Sequence, residues 1–403
     1  MSVRKLLGFG LVLLLFLQGT AVAENLRDTV ENGKVSLDAR YRFEFVDQDG
    51  VDRSAKASTL RLRLGYTTKD FYGFHLHFDL ETVHVVGFGD YNNTDNGKVE
   101  YPVVADPEDT ELNQAYLDYG GIENFAFRLG RQRMILDNAR FIGNVGWRQN
   151  EQTYDAIKFV NTSLQDFTFT LSYFSRANRI FGAHHSQLSH IKLDAFVFHL
   201  NYKFFLGGLS AYAHFFDNKD NPDSSHQNYG LRFAGDRGIT DDITVLYALE
   251  LATQHDYKQG SDIINAFYRH LELGCNWTRY TAKIGCEVLG GDGKYGFSTP
   301  FATLHAFNGW ADKFLSTPLN GIQDIYLFVG ANFEVLQRPL LLKFAYHDFR
   351  SDHDSIRYGS EIDAMAQMTV LERLDVLLKF AGYNADNHAS DTSKFWISFH
   401  YRF

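Results

Sequence analysis

One pattern limits this chain more than any other: apolar and polar residues alternate one for one through segment after segment. VSLDARYRFEF sets Val35, Leu37, Ala39, Tyr41, Phe43 and Phe45 on one face and Ser36, Asp38, Arg40, Arg42 and Glu44 on the other. TLRLRLGY opposes Leu60, Leu62, Leu64 and Tyr66 to Arg61 and Arg63, and FHLHFDLE opposes Phe74, Leu76, Phe78 and Leu80 to His75, His77, Asp79 and Glu81. A period of two is the signature of a strand, whose successive side chains point to opposite faces. A soluble sheet hides its apolar face against a second apolar layer. Here the polar parity carries ions in nearly every segment and no second apolar surface is left to cover the first. The apolar face therefore belongs against lipid and the charged face against water. In hydrocarbon every backbone N–H and C=O needs a partner, so such a sheet must close on itself.

The spacing predicts strands at 34–46, 57–69, 73–86, 109–119, 124–134, 151–161, 165–176, 191–203, 207–216, 226–236, 242–254, 264–277, 279–289, 322–334, 339–349, 358–371, 374–384 and 394–403. The connections sort by length, long ones such as 87–108, 135–150, 177–190 and 290–321 alternating with tight turns such as Phe205-Leu206 and Glu372-Arg373. Short turns on one side and long loops on the other are the pattern of outer-membrane barrels. The expected fold is all-β: a transmembrane antiparallel β-barrel of about 18 strands, with 16 as the alternative count. The final segment, KFWISFHYRF, closes the barrel against the first, and its terminal Phe403 fits both an interfacial aromatic girdle and a recognition signal for the barrel assembly machinery.

The first residues agree with export. A basic start (Arg4, Lys5), an apolar run from Leu6 to Leu17 and Ala21-Val22-Ala23 follow the order of a secretory signal peptide. The run is too short for a membrane helix, which needs about 20 residues. The expected division is a signal peptide, 1–23, and a barrel, 24–403. Beyond the leader no 18-residue apolar run occurs and mean hydropathy is −0.26, while 15% of residues are aromatic, which excludes a helical membrane protein. Cys275 and Cys286 both fall on the apolar parity. A turn near Trp277-Thr278 would set Cys275 opposite Tyr280, too far from Cys286 for a disulfide.

A barrel of this size is wide enough for an aqueous lumen, and its lining decides what passes. Ten of the 23 arginines lie between Arg40 and Arg148. Arg40, Arg42, Arg61, Arg63 and Arg128 have lumenal parity, and Arg131, Arg133, Arg140 and Arg148 cluster at the mouth of the fifth and sixth strands. Such a ladder would guide an anionic solute, because low-dielectric walls focus the field. Asp79 and Glu81 share the inward parity, so the same arginines are also candidates for cross-lumen bracing. The longest loop carries Tyr295, Phe297, Phe301, Phe307 and Trp310; so aromatic a loop is expected to fold into or over the pore as a constriction or lid. No catalytic constellation stands out. His184, His185 and His190 have no Cys or carboxylate cluster beside them that would make a metal site. No enzyme activity, cofactor, metal or nucleic-acid partner is expected.

The stretch LNQAYLDYGGIENFAFRLGRQRMILDNARFIGNVGWRQNEQTYDAIKF resembles the core signature of the alginate export family of outer-membrane porins, and HAFNGWADKFL with NGIQDIYL resembles a second block of that family. The resemblance covers essentially the mature chain. It implies an 18-stranded monomeric barrel in the outer membrane, in contact with its lipid and lipopolysaccharide, whose electropositive pore passes a polyuronate in the best-known members. By position Arg128, Arg131, Arg133, Arg140 and Arg148 fall in the matching block. The expected function is a channel for hydrophilic anionic solutes, an alginate-like polyuronate or other acidic saccharide. The alternatives are a general diffusion porin and a non-transporting barrel acting as adhesin or enzyme.

Overall fold

The computed structural model describes residues 20–403 apart from Ser186. A helix, α1 (Thr20–Glu31), precedes the strands; the expected cleavage point after Ala23 falls within it, and most of the expected leader lies outside the described residues. Tyr66 on the second strand donates to the Val30 carbonyl and Lys69 pairs with Asp28, which holds α1 beside the first turn.

Eighteen strands follow among the described residues: β1 (Lys34–Gln48), β2 (Ala55–Thr67), β3 (Phe74–Asp90), β4 (Asp109–Ile122), β5 (Phe125–Gln132), β6 (Thr153–Asn161), β7 (Phe167–Asn178), β8 (His190–Phe204), β9 (Gly207–Asn218), β10 (His226–Gly238), β11 (Ile243–Asp256), β12 (Asn265–Trp277), β13 (Tyr280–Leu289), β14 (Ile322–Val335), β15 (Arg338–Arg350), β16 (Arg357–Leu371), β17 (Leu374–Ala385) and β18 (Thr392–Arg402). Each pairs antiparallel with the next, and β18 pairs back to β1, so the sheet has no free edge. The seam register sets Arg40 opposite His400, Phe43 opposite Ile397 and Glu44 opposite Trp396. Phe403 extends it: its N–H donates to Leu37 O at 2.8 Å and its carbonyl accepts from Leu37 N–H at 3.0 Å.

The two parities separate as expected. Leu64, Phe78, Leu129, Leu231, Leu271 and Ile284 are exposed on the outer wall, where lipid takes the place of water, while Arg42, Arg61, Glu44 and Trp396 are buried inside. Two-residue connections tighten one end. Leu336 and Gln337 both hold positive φ (52° and 60°), the backbone that matches strand twist in a tight hairpin, without a glycine. The turn after β12 is Thr278-Arg279, one residue later than expected, so Cys275 lies opposite Ala282 rather than Tyr280, Cys286 lies opposite Leu271, and both thiols are free.

The lumen departs from a uniformly wet channel. Its long-loop half holds an aromatic core in which Phe141, Phe297, Phe301 and Phe314 pack against Tyr212, Tyr268, Phe349 and Trp396 of the wall. Four long-loop segments matter below: L2 (91–108), L3 (133–152), L4 (179–189) and L7 (290–321).

Candidate functional site: a loop-built constriction

L3 crosses the barrel. At one end Arg40 of β1 donates to Gln149 Oε1 and to Gly146 O, each at 2.9 Å, and also to the Arg148 carbonyl. At the other end Phe141 packs its ring 5.2 Å from Tyr212 of β9 and 5.3 Å from Tyr268 of β12, and Arg140 Nε donates to Glu287 of β13 at 2.7 Å. The expected fifth and sixth strands are each shorter by two residues at this end, because Arg133 and Glu151 leave the sheet to pair with each other. Burial pushes the Glu151 carboxyl up, but the Arg63 and Arg133 guanidiniums outweigh it and bring it down to about 2.

L7 enters from the opposite wall, as its aromatic content predicts. Phe297 and Phe301 are buried in the core, Phe307 stacks under Arg140 at 4.7 Å, and Tyr295 Oη donates to Gln254 of β11 at 2.6 Å. The tip of L7 is held by two carboxylates on β16: the Ala311 N–H donates to Glu361 at 2.7 Å and the Trp310 N–H to Asp363 at 3.2 Å. Gly309 (φ +82°) permits this approach, since a Cβ there would run into the Glu361 carboxylate.

The loops meet at Trp147 and Asp312. Trp147 of L3 stacks on His305 of L7 with ring centroids 4.5 Å apart, and Arg42 of β1 and Lys379 of β17 each sit 4.1 Å from its ring. Asp312 accepts from Arg148 at 2.8 Å, His305 at 2.7 Å and Lys394 of β18 at 3.0 Å. Burial raises the Asp312 carboxyl, but His305, Lys394 and Arg148 overcome it and hold the group well below the usual carboxylate range.

The arginines singled out in the sequence are therefore mostly occupied. Arg42 faces Asp106 of L2 at 3.6 Å, Arg61 pairs with Asp38, Arg63 with Glu81 and Glu151, Arg128 with Asp118, Arg133 with Glu151, Arg140 with Glu287, and Arg148 with Glu44 and Asp312. Arg40 is satisfied by L3 carbonyls and Gln149 instead. Asp79 accepts from Asn113 and Gln114. Arg131 stands apart. Arg128 faces inward, so a residue three further along the strand faces out, and Arg131 pairs with Asp155 in a row that continues across the register to Arg176 and Lys192 on the outer wall.

Besides Arg40, and Lys379, which sits over the Trp147 and Trp310 rings and donates to His305 Nε2 at 2.6 Å, Lys158, Lys343, Arg179 and Lys313 inside the barrel have no carboxylate within ion-pair distance among the described residues, and none of these four stands out in the sequence. Lys158 of β6 and Lys343 of β15 face the lumen toward its short-turn half; their parity marks them as inward, but nothing in the sequence marks them as unpaired. Arg179 of L4 and Lys313 of L7 line a cavity of about 510 Å³ on the long-loop side of the constriction. Lys313 Nζ donates to the Gln48 side chain at 3.1 Å, and Arg179 lies 5.5 Å from the Phe181 ring. Three inward carboxyls, Glu111 of β4 across the register from Glu81, Asp79 of β3 and Glu361 of β16, likewise have no cation within ion-pair distance among the described residues.

The described residues include no group of three or more His, Cys, Asp or Glu arranged to hold a metal ion. Among known proteins, the family described as alginate export matches residues 33–288. No curated protein matches. Solved structures with the same fold include the vanillate-bound OpdK of Pseudomonas aeruginosa (12% identity, 93% of this chain and 99% of that one, TM-score 0.70). OccAB2 of Acinetobacter baumannii (14%, 93% and 99%, 0.69) and the glucuronate complex of OccK2 (OpdF) of P. aeruginosa (12%, 93% and 99%, 0.68) are others.

Proposed function

Because the chain belongs to the alginate export family, a family of bacterial outer-membrane channels, we propose that it conducts small anionic solutes past the L3–L7 constriction as a monomer. The coarser reading, an outer-membrane channel, follows from membership and the closed barrel. The finer reading rests on one observation: cations without carboxylate partners flank the constriction, Arg179 and Lys313 on one side and Lys158 and Lys343 on the other. The paired arginines are neutralised by their own carboxylates and hold L3 to the wall, so they contribute structure more than field. L3 and L7, joined to each other across the lumen, favour a monomeric acidic saccharide or another small carboxylate over polyuronate. Glucuronate and vanillate, present in the structures of two barrels of the same fold, are both carboxylates of this size.

Liposome swelling tests this. Proteoliposomes are expected to swell faster in glucuronate than in glucose of equal osmolarity, and Lys158→Gln with Lys343→Gln to remove most of the difference. Equal rates for the two solutes in the wild type leave a general porin, and faster glucose contradicts the anion preference.

A further inference from the structure

The cavity above the constriction brings two unpaired cations into one space. Most buried arginines of the lumen meet a carboxylate, as a low-dielectric interior demands, and the other unpaired cations, Arg40, Lys158, Lys343 and Lys379, do not line this cavity. Here Arg148 and Lys394 in the cavity floor are paired through Asp312, yet Arg179 and Lys313 are not. Gln48 offers Lys313 only a neutral oxygen, and Arg179 meets only an aromatic face. Both belong to loops, L4 and L7, that enclose the same space of about 510 Å³. Its walls are mostly apolar. Tyr101, Phe181, Leu304 and Leu315 present apolar surface around the two charges, with Asn92, Thr94, Gln152 and Ser316 as polar points. A uronate would set most of its hydroxyls against apolar side chains and lose more water than these few groups replace, whereas an apolar body would gain from the same contact.

We infer that this vestibule binds a small carboxylate with an apolar body, its anionic end drawn to Arg179 and Lys313 and its body lying on Tyr101, Phe181, Leu304 and Leu315. The site deepens the channel reading, on which its role as the first stop of a permeating solute rests. It selects among anions before the constriction does: the cations set the charge, and the walls set the apolar body.

The test is equilibrium binding to the full chain in lipid nanodiscs, read by calorimetry and by saturation-transfer NMR, with benzoate, benzamide and glucuronate as probes. Benzoate is expected to bind about tenfold or more tightly than either comparison compound, since benzamide lacks the charge and glucuronate lacks the apolar body. Arg179→Gln and Lys313→Gln are each expected to weaken benzoate severalfold while leaving heat-modifiable migration of the barrel unchanged. Equal binding of benzamide, equal binding of glucuronate, or unaltered benzoate affinity in both variants overturns the proposal. Because the readout is binding, it separates from transport: benzoate held by a barrel without anion current keeps the site and removes the channel reading, and anion current without benzoate binding does the reverse.

Discussion

Asp312 Oδ2 lies 2.8 Å from Arg148 Nη2, and with Arg140–Asn308 and the backbone bonds Gly143 N–H to Phe301 O and Thr303 N–H to Ala139 O this contact ties the loop after β13 to the loop after β5 across the lumen. Both side chains are buried, and Glu44, His305 and Lys394 complete the cluster. The constriction is thus a joint between two loops, each anchored to its own wall.

Asp312→Asn opens that joint. Removing one partner of a buried ion pair costs about 3–5 kcal/mol because the other charge is left uncompensated. Here Arg148 keeps Glu44, but Lys394 loses the carboxylate it pairs with among the described residues. The expected outcome in single-channel recordings is a larger and noisier conductance with the barrel still assembled. Unchanged conductance means that the Arg140–Asn308 contact, the L3–L7 backbone hydrogen bonds and the aromatic packing hold the loops without this ion pair.

Glu361→Ala acts at the other end of L7. It removes the acceptor for the Ala311 N–H, a loss of about 1–3 kcal/mol for a buried donor. Gly309→Ala reaches the same place by crowding, since the new methyl meets the Glu361 carboxylate at a positive φ. Both variants are expected to expose L7 to added protease, and the double variant to add little to either, as residues in contact do not act independently. Protection equal to wild type in both contradicts the anchoring role.

Lys313 gives the vestibule a pH dependence. Burial, with the charge of Lys394, lowers its ammonium to about 8, against the attraction of Glu361 and Asp312. Its folded value lies below its unfolded one, so between about 8 and the ordinary lysine range the unfolded chain binds more protons and stability rises with pH. The site loses its charge over the same interval. Benzoate affinity is therefore expected to fall as pH rises through about 8, and Lys313→Gln to flatten that fall. An identical profile in the variant assigns the titration elsewhere.

Removal of Phe403 takes away the two backbone hydrogen bonds it shares with Leu37 at the β1–β18 seam and its ring contact, 4.5 Å, with Arg373. The expected result is a reduced fraction of heat-modifiable barrel in isolated outer membranes. Substitution by Tyr, which keeps the backbone and the ring, is expected to restore it; failure of Tyr to do so shifts the role to recognition of phenylalanine itself.

The barrel was legible because lipid and water impose a period of two over long stretches, and a local pattern of that kind survives without knowledge of contacts. Trp396 is instructive: it falls among the polar parity of the last strand, and in the structure it faces the lumen beside Trp147 and Lys379. Strand ends near L3 were less legible, because Arg133 and Glu151 leave the sheet for each other only once the loop is folded in. The partners of the arginines were illegible for a related reason. Arg140 and Glu287 are 147 residues apart, and parity says that a side chain faces inward, not whom it meets. Arg131 was within reach of parity all the same, since it cannot share a face with Arg128 in a regular strand. L7 was marked by its aromatics. The infolding of L3, with Phe141 and Trp147 as its only large rings, becomes visible through the wall residues it covers.

Anion preference is read from the reversal potential of the purified wild-type protein in a planar bilayer across a potassium chloride gradient. The expected potential has the sign that marks chloride as the more permeant ion, and it is reduced when Lys158 and Lys343 are replaced by Gln. A potential of the opposite sign contradicts it.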